Sequence, residues 1–191
     1  MVNDTSNPLS LEPLEPDQKP APTLLWLGFA AVVLALDQLS KWLVVRSFQY
    51  GEELPVWSFF SWVRWHNTGA AFSFLNDAGG WQRWMFAALA IGFSIYLIWE
   101  LSRLRAAEKA QALVYSLILG GALGNMLDRL LHGHVIDFIL FHYQGRIFPA
   151  FNLADSAIFL GAVIWFVLLW REYRAERAAA KQRPAQEALE K

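Results

Sequence analysis

Four separated stretches of this chain are apolar over the length a helix needs to cross a lipid bilayer, which fixes the class of fold before anything else. They run over about 23–45, 81–101, 110–131 and 151–170, against roughly 17–25 residues for a spanning helix. Hydrocarbon leaves no water to pair with the backbone, so continuous apolar stretches of this length are helices. The 191 residues are 55% hydrophobic and 15% aromatic, too apolar for an ordinary soluble domain. The expected fold is an all-α membrane protein with four transmembrane helices.

Charge orients the spans. Arg103, Arg105 and Lys109 lie between the second and third, and Arg171, Arg174, Arg177, Lys181 and Arg183 follow the fourth. Basic connections stay on the cytoplasmic side, so both termini are expected inside and the connections 46–80 and 132–150 outside. Residues 1–22 carry Asp4, Glu12, Glu15 and Asp17 against Lys19 alone, with five of the eight prolines. That composition reads as a flexible cytoplasmic tail rather than a signal peptide, whose first residues are basic. Residues 23–170 form one transmembrane domain and 171–191 a basic cytoplasmic tail. The stretch 55–75 is aromatic enough to be mistaken for a fifth span. Ser58, Ser61, Arg64, His66 and Asn67 interrupt it, and a fifth span would put the basic tail outside. Short interfacial strands forming a small β-rich periplasmic subdomain in the first outer loop are expected instead, with Trp57, Trp62, Trp65, Trp81 and Trp84 as belt residues.

Polar residues gather at one depth. In the first span Asp37 and Lys41 share a face at i and i+4. In the third, Gly121, Asn125, Asp128, Arg129 and His132 fall on one face near the outer end, and the Gly120/Gly124 spacing lets a neighbouring helix approach closely. In the fourth, residues 157–170 alone are uninterruptedly apolar. Fourteen residues make roughly 21 Å of helix, short of a hydrocarbon core of about 30 Å. The span therefore reaches back through Ser156, Asp155 and Asn152, which brings Asp155 to the membrane boundary. Asp137 interrupts the run Val135-Ile136-Asp137-Phe138-Ile139-Leu140 between these two spans.

Ionisable groups at membrane depth are costly and mark functional sites. Glu52, Glu53 and Asp77 read as solvated loop residues. Asp37, one turn from Lys41, and Asp128, beside Arg129, read as an ion-pair or hydrogen-bond network tying helices together, or as support for a site. Asp155 has a plain explanation as an acid at a helix N-terminus capped by Asn152, and Asp137 has one as a turn acid on a strand edge. Neither explanation accounts for both acids lying at one level without a basic partner. Two carboxylates in one site share a proton. The ionised one can take a proton from water while the other donates to a carbonyl oxygen, which hydrolyses a peptide without a covalent intermediate.

Other chemistries fit less well. His66, His132, His134 and His142 lack an HExxH spacing, and the chain has no cysteine, so no metal and no cofactor are expected. There is no GxSxG elbow, and the adjacent Ser40 and Lys41 point about 100° apart on a helix. A formal net charge of −1 gives no reason to expect nucleic acid. Two rival classes remain: a small transporter or proton relay through Asp37, Asp128 and Asp155, and a helix scaffold held by its polar cluster.

The chain resembles the lipoprotein signal peptidase (signal peptidase II) family of aspartic membrane peptidases. Five blocks carry the resemblance in order: Asp37-Gln38-Leu39-Ser40-Lys41; Asn67-Thr68-Gly69-Ala70-Ala71-Phe72-Ser73; Gly120-Gly121-Ala122-Leu123-Gly124-Asn125-Met126-Leu127-Asp128-Arg129; Gly133-His134-Val135-Ile136-Asp137-Phe138; and Phe151-Asn152-Leu153-Ala154-Asp155-Ser156. They run from Asp37 to Ser156, and the resemblance covers roughly residues 30–170. The resemblance implies an endopeptidase of the bacterial inner membrane, acting near its periplasmic face; nothing in the sequence requires a partner chain, so a monomer is expected. It would cleave signal peptides from prolipoproteins just before a diacylglyceryl-modified cysteine, and be blocked by the cyclic peptide globomycin. It further implies that Asp137 and Asp155 are the catalytic dyad, that Asn67, Gly69, Asn125, Arg129 and Asn152 line the site, and that Asp37 and Lys41 brace the surrounding helices. Membrane lipid and diacylglyceryl prolipoproteins are the expected partners.

Overall fold

The computed structural model describes the backbone of residues 19–69 and 79–189, with side chains through residue 181. Its elements in chain order are α1 (Thr23–Ser47), β1 (Glu53–Trp57), β2 (Phe60–Asn67), α2 (Gln82–Arg103), α3 (Lys109–His132), β3 (Val135–Tyr143), β4 (Arg146–Ile147) and α4 (Leu153–Leu189). The four helices are each long and apolar enough to cross a membrane. Residues 55–67 form strands rather than a fifth span; residues 70–75 of that stretch, like Asp77, lie outside the described residues.

Helix α3 is the hub. Half of its apolar window is buried inside the protein, against 17–22% for the other three, and it packs against α1, α2 and α4. Glycines permit this. A Cβ on Gly120 would lie 2.6 Å from the Ala30 carbonyl oxygen, and one on Gly124 2.5 Å from Asp37 Oδ2. The small-residue face thus seats α1, while Gly121 faces the start of α4, where a Cβ would meet the Ala154 carbonyl oxygen at 2.5 Å. Large apolar side chains on the outward faces, Phe93, Ile95, Phe159 and Phe166 among them, are exposed, as expected of surfaces solvated by acyl chains.

The four strands form one antiparallel sheet in the order β1-β2-β3-β4. The β-rich part therefore draws on both longer interhelical connections, α1–α2 and α3–α4, not the first alone. Sequence patterning missed β3 because an apolar run flanked by helices has no alternation to read. In consequence Asp137 is not a turn acid on an exposed edge. It sits on an inner strand opposite Trp65 and is 3% exposed. Past β4 the chain turns back, and Phe151 pairs with Ile139 in an isolated bridge, which lays the start of α4 beside β3.

Two further boundaries differ from expectation. α4 continues well past residue 170, so the basic segment is helical as far as Leu189. The expectation of a flexible tail reaching residue 22 fails at its last residues. Pro20 forms a bridge with Arg105, and Ala21 N–H donates to the Leu104 carbonyl. Residues 1–18 lie outside the described residues. The end of α1 is held by Arg64, whose Nη1 donates to the carbonyls of Val45 (3.3 Å) and Phe48 (2.8 Å), so acceptors left free at a helix terminus are satisfied. α3 ends at Gly133, whose φ of +79° is a left-handed cap that glycine adopts without steric cost.

Candidate active site

The start of α4 builds one half of the site. Asn152 Oδ1 accepts the Asp155 N–H at 2.9 Å, and Asp155 Oδ2 accepts the Asn152 N–H at 3.2 Å. This reciprocal pairing is the geometry of a capping box, and it fixes the Asp155 carboxylate at the first turn. The cap has a second task. With its oxygen committed to the helix, Asn152 turns its Nδ2 outward, donating to Asp137 Oδ1 at 2.8 Å and to Asn125 Oδ1 at 3.1 Å. One side chain thus joins the helix that carries Asp155 to the strand that carries Asp137.

Each acid has a further donor: a second carboxamide for Asp137, and for Asp155 a carboxamide beside the Asn152 N–H. Asn67 at the end of β2 gives Nδ2 to Asp137 Oδ2 at 3.1 Å, and its Oδ1 accepts the Gly69 N–H at 3.0 Å. Asn125 on α3 gives Nδ2 to Asp155 Oδ1 at 2.7 Å. Arg129 anchors the turn after β2, its Nη2 donating to the Gly69 carbonyl at 2.8 Å and its Nη1 to the Asn125 carbonyl at 3.2 Å. Its guanidinium also lies 5.1 Å from the Phe86 ring centre.

Beneath the pair lies a buried charge cluster. Lys41 Nζ is 2.8 Å from Asp37 Oδ2, 2.9 Å from Asp128 Oδ2 and 2.9 Å from Asn125 Oδ1. All three charged residues are at most 2% exposed. Each carboxylate also grips backbone next to a member of the acid pair. Asp37 Oδ1 accepts the Ala154 N–H at 2.9 Å, and Asp128 Oδ2 the Ile136 N–H at 3.2 Å. Removing one partner of such a buried set costs about 3–5 kcal/mol, so the cluster locks α1, α3, β3 and α4 together. Asp37 and Asp128 thus tie helices together and bond the backbone next to each acid.

Burial and the neighbouring Asp155 charge push the Asp137 carboxyl up to about 7, against partial relief from the Asn67 and Asn152 amides. A carboxyl titrating there is shared between its protonated and ionised forms at near-neutral pH. The pair can therefore present one acid and one base to the same bond.

All nine residues singled out in the sequence meet at this end of the bundle. Glu52 stands apart, capping the turn at Gln49, and Glu53 lies exposed on β1. Gln38 was missed as a site residue. Its Nε2 donates to Asp128 Oδ1 at 2.9 Å and to the Gly124 carbonyl at 3.2 Å. Its place beside Asp37 was the available signal, but helical spacing puts it on another face. The histidines pair with each other and with neighbours. His66 stacks on His134 with ring centres 3.7 Å apart, and His142 Nε2 lies 2.9 Å from Ser61 Oγ. Among the described residues no three His, Asp or Glu side chains stand where they could hold one metal ion.

Residues 29–171 match the family model described as Signal peptidase (SPase) II, peptidase family A8. The chain belongs to the signal peptidase II family. It is 47% identical over 169 residues to the lipoprotein signal peptidase of Cupriavidus necator, covering 87% of this chain and 95% of that one. The lipoprotein signal peptidase of Burkholderia vietnamiensis is 50% identical over 161 residues, covering 83% and 95%. Among solved structures, a bacterial membrane enzyme determined by the in meso method at 2.3 Å superposes with a TM-score of 0.72 at 27% identity, covering 82% of this chain and 93% of that one. A signal peptidase II is a peptidase, so the chain is a hydrolase. A proton relay is not favoured: Asp37, Asp128 and Asp155 gather at one end instead of threading the spans.

Proposed function

We propose that this chain is an aspartic endopeptidase that removes signal peptides from diacylglyceryl-modified prolipoproteins, cutting before the lipidated cysteine with Asp137 and Asp155 as its dyad. The observation that carries the reading is that one residue, Asn152, joins the two acids at the end of a four-span bundle, its carboxamide bonding the Asp137 carboxylate and the Asp155 N–H. The ionised member takes a proton from water as the water oxygen attacks the scissile carbonyl carbon. The protonated member gives its proton to the carbonyl oxygen, which yields a neutral tetrahedral diol. Collapse of the diol returns one proton to a carboxylate, passes another to the amide nitrogen and breaks the C–N bond. No acyl-enzyme forms.

Asn67, Asn125 and Asn152 hold the two carboxylates in register, and Arg129 holds Gly69 where an extended substrate backbone passes. Residues 23–170 form the peptidase domain, and the head 1–22 and the basic tail 171–191 lie in the cytoplasm. The positive-inside rule puts both termini there and the dyad near the periplasmic face of the inner membrane, the level at which a lipid-anchored cysteine presents its bond. Nothing in this chemistry needs a second copy, so the working unit is a monomer in contact with lipid. The test is incubation of the purified protein in nanodiscs with a diacylglyceryl-modified prolipoprotein peptide, with products read by mass spectrometry. Scission immediately before the modified cysteine is expected; scission elsewhere, or of the unmodified peptide equally fast, would overturn the substrate assignment.

A further inference from the structure

Lys41 touches neither aspartate of the dyad, yet the direction of the hydrogen bonds around it bears on both. An ammonium has donors and no acceptor. Its 2.9 Å contact with Asn125 therefore forces the carbonyl oxygen of that amide toward Lys41. The Asn152 Nδ2, also a donor, adds a second bond to the same oxygen at 3.1 Å. The Asn125 amide then has one orientation left, with Nδ2 aimed at Asp155 Oδ1, 2.7 Å away. Without Lys41 the longer Asn152 bond alone holds that orientation, and each turn of the amide presents its oxygen to the Asp155 carboxylate, which repels it.

We infer that Lys41 is a positioning residue for the hydrolytic reaction, acting through Asn125: its ammonium selects the amide orientation that supplies a hydrogen-bond donor to Asp155. This rests on the peptidase reading above and adds a direction to the network. The polarity runs one way, from Lys41 to Asn125 to Asp155, while Asn152, fixed by its own cap, donates to both Asn125 and Asp137. Bracing of helices by Lys41 is a separate role, carried by its bonds to Asp37 and Asp128.

A thermodynamic cycle on cleavage kinetics separates the two. Lys41→Met alone strands two buried carboxylates, so it is combined with Asp37→Asn. That removes one positive and one negative charge together and leaves an amide oxygen to accept the Ala154 N–H. The expected result is a kcat about 10²-fold below that of Asp37→Asn alone, the scale of loss for a misdirected group, with KM within about twofold. Asn125→Leu should show a similar loss. Adding Asn125→Leu to the Lys41→Met/Asp37→Asn protein should cost less than about threefold more, since both changes break one chain. Losses that multiply would overturn the inference, as would a Lys41→Met/Asp37→Asn protein within threefold of Asp37→Asn.

Should the double variant fail to fold, Asn125→Asp decides. It is isosteric and keeps acceptors for Lys41, but has no N–H for Asp155. Its kcat should fall as far as that of Asn125→Leu, and retention of kcat within threefold of wild type would refute a donor role. Inactive Asp137→Asn and Asp155→Asn proteins alongside a failed cycle would remove Lys41 from the mechanism and leave the peptidase reading standing. Active ones would remove both.

Discussion

Gly121→Ala tests how closely the chemistry depends on the seating of α4 against α3. The added Cβ would lie 2.5 Å from the Ala154 carbonyl oxygen and 2.8 Å from Ile158 Cγ1. Ordinary contact begins at 3.4 Å, so α4 must retreat by about 0.9 Å (3.4 − 2.5). The obstacle is backbone and cannot rotate away. A retreat of that size would stretch the Asn125–Asp155 bond from 2.7 Å to about 3.6 Å, outside hydrogen-bond range. Misplacing a reacting group by about 1 Å costs on the order of 10²-fold in rate, or about 2.7 kcal/mol of transition-state stabilisation. Stability should change less. Replacing glycine in a helix gains about 1 kcal/mol against an overpacking cost of about 1–3 kcal/mol. The net change is a loss of roughly 0–2 kcal/mol. The assay is kcat/KM for a lipid-modified prolipoprotein peptide in nanodiscs, alongside thermal unfolding. Gly92→Ala on α2, where a Cβ meets nothing within 4 Å, is the control and should keep full activity. A Gly121→Ala protein cleaving within threefold of wild type would refute the reasoning.

Three other outcomes are expected. Asn152→Asp keeps an acceptor for the Asp155 N–H but has no donor for Asp137 or Asn125 and adds a carboxylate at a fully buried position; cleavage should fall about 10²-fold and stability by about 1–3 kcal/mol, checked by kinetics and melting on one preparation. The Asp137 carboxyl titrates near 7 when folded against 3.8 when unfolded, so its contribution to stability is complete below 3.8 and lost as pH rises through 7. Asp137→Asn should therefore melt above wild type at pH 8, with the gap closing toward pH 4. His66, pushed down to about 4 by burial and by the His134 charge, destabilises both proteins as pH falls from 6.5 toward 4, and cancels in the comparison. Replacing Trp57, Trp62 and Trp65 by leucine should raise KM roughly tenfold, equal to 1.4 kcal/mol of binding, with kcat unchanged. An unchanged KM would show that this aromatic surface does not grip substrate.

The spans were legible because lipid leaves one backbone solution for an apolar run, and their ends fall within a few residues of expectation at Ser47, Arg103 and His132. The site was legible for a related reason. Polar residues are too costly at membrane depth to be scattered there, so convergence of Asp37, Lys41, Asn125, Asp128 and Asp155 at one level already implied contact. What could not be read was pairing across distance. β3 is an unbroken apolar run, and only its register with β2, with Trp65 opposite Asp137, turns a supposed edge acid into a buried one. The double duty of Asn152, helix cap on one side and bridge to Asp137 on the other, depends on the return of the chain at Phe151, which no local pattern encodes. Gln38 is the clearest miss: helical spacing sets it about 100° from Asp37, yet α3 packs closely enough over Gly124 for its amide to reach Asp128.

The most direct test of the dyad compares wild type, Asp137→Asn and Asp155→Asn for cleavage of a diacylglyceryl-modified prolipoprotein peptide and for thermal unfolding at the same pH. Amide and acid are nearly isosteric, so folding should survive both substitutions while peptide hydrolysis vanishes. If either variant melts cooperatively and still cleaves near the wild-type rate, the two aspartates are structural and the account of catalysis is wrong.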